Sequence, residues 1–128
     1  MSTRSLIGLQ REDGKLETVY CHWDGQVVGG VGETLYNYYN TRQDVRDLIS
    51  GGDLSSLGIT TGLSEYYADR GEPLSPAAID DPAKLRKDLV GSGIEYVYIM
   101  MGGGSWIVTD INNGLTVYDL ADALKETA

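Results

Sequence analysis

The feature that most constrains the fold is a series of short extended segments separated by glycine-containing turns. Near the C-terminus, residues 94–101, 105–111 and 115–118 are rich in apolar and β-branched residues, and turns at 102–104 and 112–114 separate them. Glycine tolerates the positive φ angles of tight turns, and strands joined by tight turns pair antiparallel. These three segments therefore predict an antiparallel sheet.

The N-terminal region follows the same pattern. Residues 5–12 and 15–23 flank Asp13-Gly14, a dipeptide that favours a two-residue type I′ turn. Such a turn would place Ile7 opposite Tyr20. Both faces of this hairpin then carry apolar side chains, so one face would pack on helices and the other on a further element, a ligand or another subunit.

Helical periodicity predicts four helices between and after the strands. They run from Val31 to about Tyr39, from a cap at Thr41 to the glycines at 51 and 52, from Asp81-Pro82 to Gly91, and from a cap at Asp119 onward. Residues 53–58 are predicted to form one tight turn, and residues 59–79 show no period. The order β-β-α-α-α-β-β-β-α predicts an α+β fold with a five-stranded antiparallel sheet, helices mainly on one face, and one domain over residues 1–128.

The charge distribution limits the classes of partner. The formal net charge is −9, and residues 47–81 hold seven acidic side chains against a single base, Arg70. Nucleic-acid affinity rests on Lys and Arg, so direct nucleic-acid binding is not expected. The acidic segment either keeps the surface solvated or meets a basic partner.

Residue types also limit the chemistry. The chain has one His and one Cys, so we expect no metal site, no cofactor, no internal disulfide and no Cys–His nucleophile pair. No apolar run approaches the roughly 20 residues of a membrane span. The protein is therefore expected to be soluble and intracellular, without a membrane contact.

Two motifs invite a functional interpretation. His22 and Asp24 share a strand face at i, i+2 beside Tyr20, which would suit a general base, although a structural hydrogen bond is the better interpretation. A Gly-rich turn before a helix, at residues 29–32, can hold a phosphate. No Gly-Lys-Ser/Thr follows, however, and Glu33 would repel an anion, so a plain loop is favoured.

The segment from Tyr66 to Glu72 is the other candidate site. Its neighbouring tyrosines suit a contact surface, and Arg70 either pairs internally or reaches a partner, since Arg and Tyr are frequent at interface hot spots. The residues predicted to contact a partner or ligand are Tyr66, Tyr67, Asp69, Arg70, Glu72, His22 and Asp24.

Several stretches resemble a family of small uncharacterised proteins encoded by bacteriophages and prophages. The resemblance rests on Ser2-Thr3-Arg4-Ser5-Leu6-Ile7-Gly8, Tyr20-Cys21-His22-Trp23-Asp24-Gly25, residues 48–58, Asp69-Arg70-Gly71-Glu72 and Glu95-Tyr96-Val97-Tyr98. The chain departs from the pattern after Gly25, where Gln26-Val27 replaces an expected Tyr-Pro. The resemblance implies a non-enzymatic accessory protein acting in the cytoplasm of a host bacterium.

Three hypotheses remain open. The first is an inhibitor that binds a host protein, such as an antiviral defence component in the manner of an anti-CRISPR protein. The second is a sponge for a small anionic or cyclic nucleotide, held by Arg4, Arg42 or Arg70 together with Tyr rings and Gly-loop amides, with a homo-oligomer forming the pocket. The third is a small hydrolase or transferase that uses His22 with Asp24 or Glu72.

Overall fold

The structure is a computed structural model that describes residues 2–126. Its strands are β1 (Arg4–Gln10), β2 (Leu16–Cys21), β3 (Leu54–Ser56), β4 (Glu65–Tyr66), β5 (Ala78–Asp80), β6 (Ile94–Met100), β7 (Trp106–Asp110) and β8 (Thr116–Asp119). Its α-helices are α1 (Val31–Tyr38), α2 (Arg42–Ile49), α3 (Pro82–Leu89) and α4 (Leu120–Glu126).

The strands form one mixed sheet in the order β4-β3-β2-β1-β6-β7-β8, with β5 paired to the outer edge of β2. The α+β class is confirmed, but the prediction of five antiparallel strands is wrong. The strands joined by tight turns do pair antiparallel, whereas β1 pairs with β6 in parallel. The connection from β2 to β6 is long and contains helices, and such connections allow a parallel crossover.

The N-terminal hairpin has a three-residue loop rather than the predicted two-residue turn. The Arg11 N–H donates to the Lys15 carbonyl at 2.8 Å, and the Gly14 N–H donates to the Arg11 carbonyl at 3.0 Å. Gly14 is left-handed at φ 84°, which suits a type I turn followed by a bulge. The register shifts by one residue, so Ile7 pairs with Val19 instead of Tyr20.

The two faces of the sheet bury separate apolar clusters. One face packs against α1, α2 and α4 through side chains such as Val31, Leu48 and Leu120. The other face is covered by α3, which inserts Leu85 and Leu89. The prediction that both faces of the hairpin are apolar is therefore confirmed.

The segment without a predicted period contains short ordered elements. Residues 54–56, predicted as part of a tight turn, form β3 beside the end of β2. The β4 strand and two 3₁₀ turns, Thr61–Leu63 and Tyr67–Arg70, follow along the same edge. None of the helices within residues 2–126 has the length and apolar character that crossing a bilayer requires.

Candidate functional site

The end of β2 and the two residues after it carry a group of aromatic side chains, Tyr20, His22 and Trp23. Alternation along β2 places Val19 and Cys21 in the cluster under α1 and α2, while Tyr20 packs at the margin of the α3 cluster. The chain then continues alongside β3, because the His22 and Trp23 N–H groups donate to the Leu54 and Ser55 carbonyls at 3.1 and 3.0 Å.

Within this group, the His22 ring contacts both Tyr20 and Trp23. The Tyr20 hydroxyl and His22 Nδ1 are 2.7 Å apart, within hydrogen-bond distance. The His22 and Trp23 rings meet edge-on, with centroids 4.7 Å apart. The Trp23 side chain is nevertheless 45% exposed, so its ring is available to a partner.

The 3₁₀ turn at Tyr67–Arg70 lies beside these rings. Asp53 connects the two, since its carboxylate accepts the Tyr20 N–H at 2.9 Å and its carbonyl accepts the Tyr67 N–H at 3.2 Å. The Arg70 guanidinium lies 5.6 Å from the centroid of the Tyr67 ring, and it pairs with Glu65 at 3.4 Å. We call Tyr20, His22, Trp23, Tyr67 and Arg70 together the aromatic edge surface.

The electrostatics of Tyr20 reflect this crowding. Partial burial raises the pKa of the Tyr20 hydroxyl, and the nearby Arg4 guanidinium opposes that rise. Tyr67 and Asp53 add smaller contributions that raise the pKa further. Tyr20 therefore stays protonated at neutral pH and can hydrogen-bond to the imidazole, while one more cation, Arg4, lies near the aromatic edge surface.

Only some of the predicted contact residues lie on the aromatic edge surface. His22, Tyr67 and Arg70 lie together on it, and Asp69 and Glu72 are exposed in the same stretch of chain. Tyr66 is only 7% exposed, and its hydroxyl donates to the Leu48 carbonyl at 2.7 Å, so it is part of the core. Tyr20 and Trp23 were not predicted as contact residues, although both lie in the motif that contains His22.

The His22–Asp24 pair expected on one strand face does not form. The strand ends at Cys21, and Asp24 adopts a left-handed conformation at φ 58°, which takes its side chain off the strand pattern. Asp24 is exposed and contributes its carbonyl, which accepts the Val31 N–H at 2.7 Å. The hydrogen bond that favours a structural role for His22 is thus made to Tyr20.

Most amides of the Gly-rich loop before α1 are already hydrogen-bonded within the protein. The Gly32 and Glu33 N–H groups donate to the Gln26 and Val27 carbonyls at 3.2 and 2.8 Å, and the Val31 N–H is also bonded. Arg42 is likewise engaged, donating to the Gln10 and Met101 carbonyls at 2.6 and 3.0 Å. Arg4 and Arg70 are the remaining candidates for an anion among those predicted.

The segment that ends at Gly25 contacts the N-terminal segment directly. The Gly25 N–H donates to the Thr3 carbonyl at 2.8 Å, and a side chain at position 25 would place its Cβ 2.7 Å from that oxygen. The buried Tyr98 hydroxyl donates to the Gly25 carbonyl at 2.6 Å. Glycine at position 25 is therefore required by the close packing of the backbone.

Within residues 2–126, no group of three or more His, Cys, Asp or Glu side chains is placed to hold a metal ion. Neither Asp24 nor Glu72 is hydrogen-bonded to the His22 ring in the described part of the chain. Comparisons with protein-family models, with curated proteins and with solved structures find no match to this chain.

Proposed function

We propose that this chain is a non-enzymatic accessory protein of bacteriophage type that binds and inhibits a host protein in the bacterial cytoplasm. A component of antiviral defence is the class of target that we favour. The observation that carries the proposal is the aromatic edge surface, which combines the exposed Trp23, in edge-on contact with His22, with the Arg70–Tyr67 pair. Trp, Tyr and Arg are the residue types most enriched at binding hot spots.

Charge supports a basic partner for this surface. Glu65, Asp69 and Glu72 are exposed around Arg70, in a protein whose net charge is −9. Acidic side chains at the rim of an interface accelerate association with a positively charged partner and disfavour acidic ones. The acidic segment would therefore steer the encounter, and the aromatic rings would supply the contact energy.

The test is capture of partners from a bacterial lysate by the tagged protein, with mass spectrometry of both proteins and small molecules. The wild type should retain one host protein stoichiometrically, and Trp23→Ala should reduce its affinity by about tenfold or more. Tyr38→Ala is the matched control, because Tyr38 is 52% exposed and lies on α1, outside the aromatic edge surface. It should leave binding unchanged.

Two results would contradict the proposal. If neither Trp23→Ala nor the Tyr67→Ala/Arg70→Ala pair weakens binding of the captured protein, the surface is assigned wrongly. If the wild type captures no host protein at all, the inhibitor function is wrong.

A second candidate function is sequestration of a small anionic nucleotide. It is favoured by two cations, Arg4 and Arg70, that lie beside the Tyr20 and Tyr67 rings. Tyrosine rings stack on bases and arginine forks bind phosphates, so these four side chains match the chemistry of a nucleotide. Release of a nucleotide from the heated protein, with no protein partner captured, would favour this function over the inhibitor.

A further inference from the structure

A separate cleft of about 390 Å³ opens on the other face of the sheet, beside α4 and the loop that follows β2. Tyr96, Asp110 and Tyr118 line its floor, and Gln26, Val27 and Ala123 line its walls. Tyr20 faces the opposite side of the sheet, so this cleft is distinct from the aromatic edge surface.

Strand register brings the floor residues together. Tyr96 on β6 lies directly opposite Asp110 on β7, and Tyr118 on β8 lies opposite Val108, two residues earlier on β7. Residues two apart on a strand share a face, so both tyrosines and the carboxylate face the same side. The floor therefore combines two aromatic rings with one carboxylate across three neighbouring strands.

The tyrosines are held in place by their neighbours. The Tyr96 ring stacks on Tyr98, with centroids 6.2 Å apart, and Tyr98 is fully buried. The Tyr118 hydroxyl accepts a hydrogen bond from the Asn113 amide at 3.1 Å. A ligand entering the cleft would therefore meet rings that are already ordered.

Charge decides which ligand this floor can take. Asp110 is half-buried and forms no ion pair within the described residues, and no Lys, Arg or His is among the side chains that line the cleft there. An anion would meet an uncompensated carboxylate, whereas a cation would be attracted by Asp110, and the two tyrosine rings line the same cleft.

We propose that this cleft binds a small organic cation, with an ammonium nitrogen placed at Asp110 between Tyr96 and Tyr118. The apolar side chains of Val27, Val28 and Ala123 and the cleft volume favour an ammonium that carries alkyl groups over a bare inorganic ion. Aromatic rings beside a carboxylate are the surroundings in which proteins recognise quaternary ammonium groups. The site is independent of the proposed inhibitor function.

The test titrates choline and its neutral isostere, 3,3-dimethylbutan-1-ol, into the full-length protein and follows backbone amide NMR shifts. The two probes share a shape and differ in charge. Choline should bind saturably and shift the amides of Val27, Tyr96 and Asp110, and the neutral alcohol should bind about tenfold more weakly or worse. Equal binding of the two probes, or no binding of choline, would overturn the proposal.

Two variants of equal charge locate the site. Asp110→Asn should weaken choline binding by about tenfold or more, while Asp88→Asn should leave it unchanged. Asp88 is an exposed carboxylate on α3, across the sheet from the cleft, and its removal changes the net charge equally. Equal losses in both variants would show non-specific attraction and refute the site.

A third variant keeps the test decisive if Asp110→Asn does not fold. Gln26→Lys places an ammonium group at the half-buried wall of the cleft, where the Gln26 amide donates to the Gly29 carbonyl at 3.5 Å. It should abolish choline binding while circular dichroism and thermal unfolding match the wild type. Unchanged binding in this variant would overturn the proposal.

Discussion

Cys21 and His22 are neighbours in the chain, but their side chains lie on different sides of the sheet. Cys21 is fully buried under α1 and α2, whereas the His22 ring bonds to Tyr20 on the other side. Burial raises the pKa of the Cys21 thiol from 9.0 to about 12, because a thiolate would lose its hydration. The prediction that Cys21 is a small buried residue is confirmed.

This pKa shift predicts a loss of stability in alkaline solution. The unfolded thiol ionises near pH 9 and the folded one near pH 12, so the thiol stabilises the fold fully below pH 9 and loses that contribution as pH rises toward 12. Between pH 9 and pH 10, the free energy of unfolding should fall by about 1 kcal/mol more in the wild type than in Cys21→Ala. Urea unfolding of both proteins at each pH measures this difference, and tyrosine ionisation is common to both. Parallel pH profiles would contradict the prediction.

Individual residues of the aromatic edge surface could be predicted from the sequence, but their arrangement could not. His22, Tyr67 and Arg70 were predicted separately and lie on one surface, but their link through Asp53 joins positions far apart in the chain and leaves no local pattern. The pairing of His22 with Asp24 assumed that the strand continues, and the positive φ of Asp24 breaks that assumption. Tyr66 and Tyr67 are adjacent residues of the same type, so the sequence does not indicate which of them is buried. Tyr66 is buried because β4 packs against α2, where the Tyr66 hydroxyl donates to the Leu48 carbonyl.

Among the elements, those with strong local signals were predictable. The Thr41 cap forms, with its hydroxyl accepting the Asp44 N–H at 3.1 Å, and Pro82 begins α3 after the Asp81 cap. The β3, β4 and β5 strands have two or three residues each, too few for a period to be recognised. The parallel pairing of β1 with β6 depends on a crossover, which no turn in the sequence specifies.

The pairing of β1 with β2 requires glycine at position 8. A Cβ on Gly8 would lie 2.1 Å from the Glu17 carbonyl oxygen in the paired strand. Because that atom belongs to the backbone, Gly8→Ala must separate the strands locally, and we expect a loss of about 2 kcal/mol or more in the free energy of unfolding. Gly103→Ala is the control, since nothing lies within 4 Å of its Cβ and its φ is not positive. Urea denaturation of both variants tests this, and equal stability would contradict it.

At the scale of the whole molecule, the sheet is covered unequally on its two faces. Among the described residues, three α-helices pack on one side, and α3 covers the other beside a partly open, mainly apolar cleft of about 190 Å³. Side chains that line such a cleft lack packing contacts on its open side. The attachment of α3 to the sheet should therefore be weaker than that of the helices on the other face. The α2 helix is a matched reference, since α2 and α3 have eight residues each.

We therefore expect α3 to open without global unfolding. Its buried side chains, Leu85 and Leu89, are each 7% exposed, whereas Val45 and Leu48 of α2 are fully buried. Local opening has a lower free energy where fewer apolar contacts are lost, so the amides of α3 should exchange hydrogen faster than those of α2 and β6. Hydrogen–deuterium exchange with mass spectrometry measures all three in one experiment. If the amides of α3 are protected as strongly as those of α2, the two faces of the sheet open together. In that case the cleft beside α3 does not weaken the attachment of α3 to the sheet.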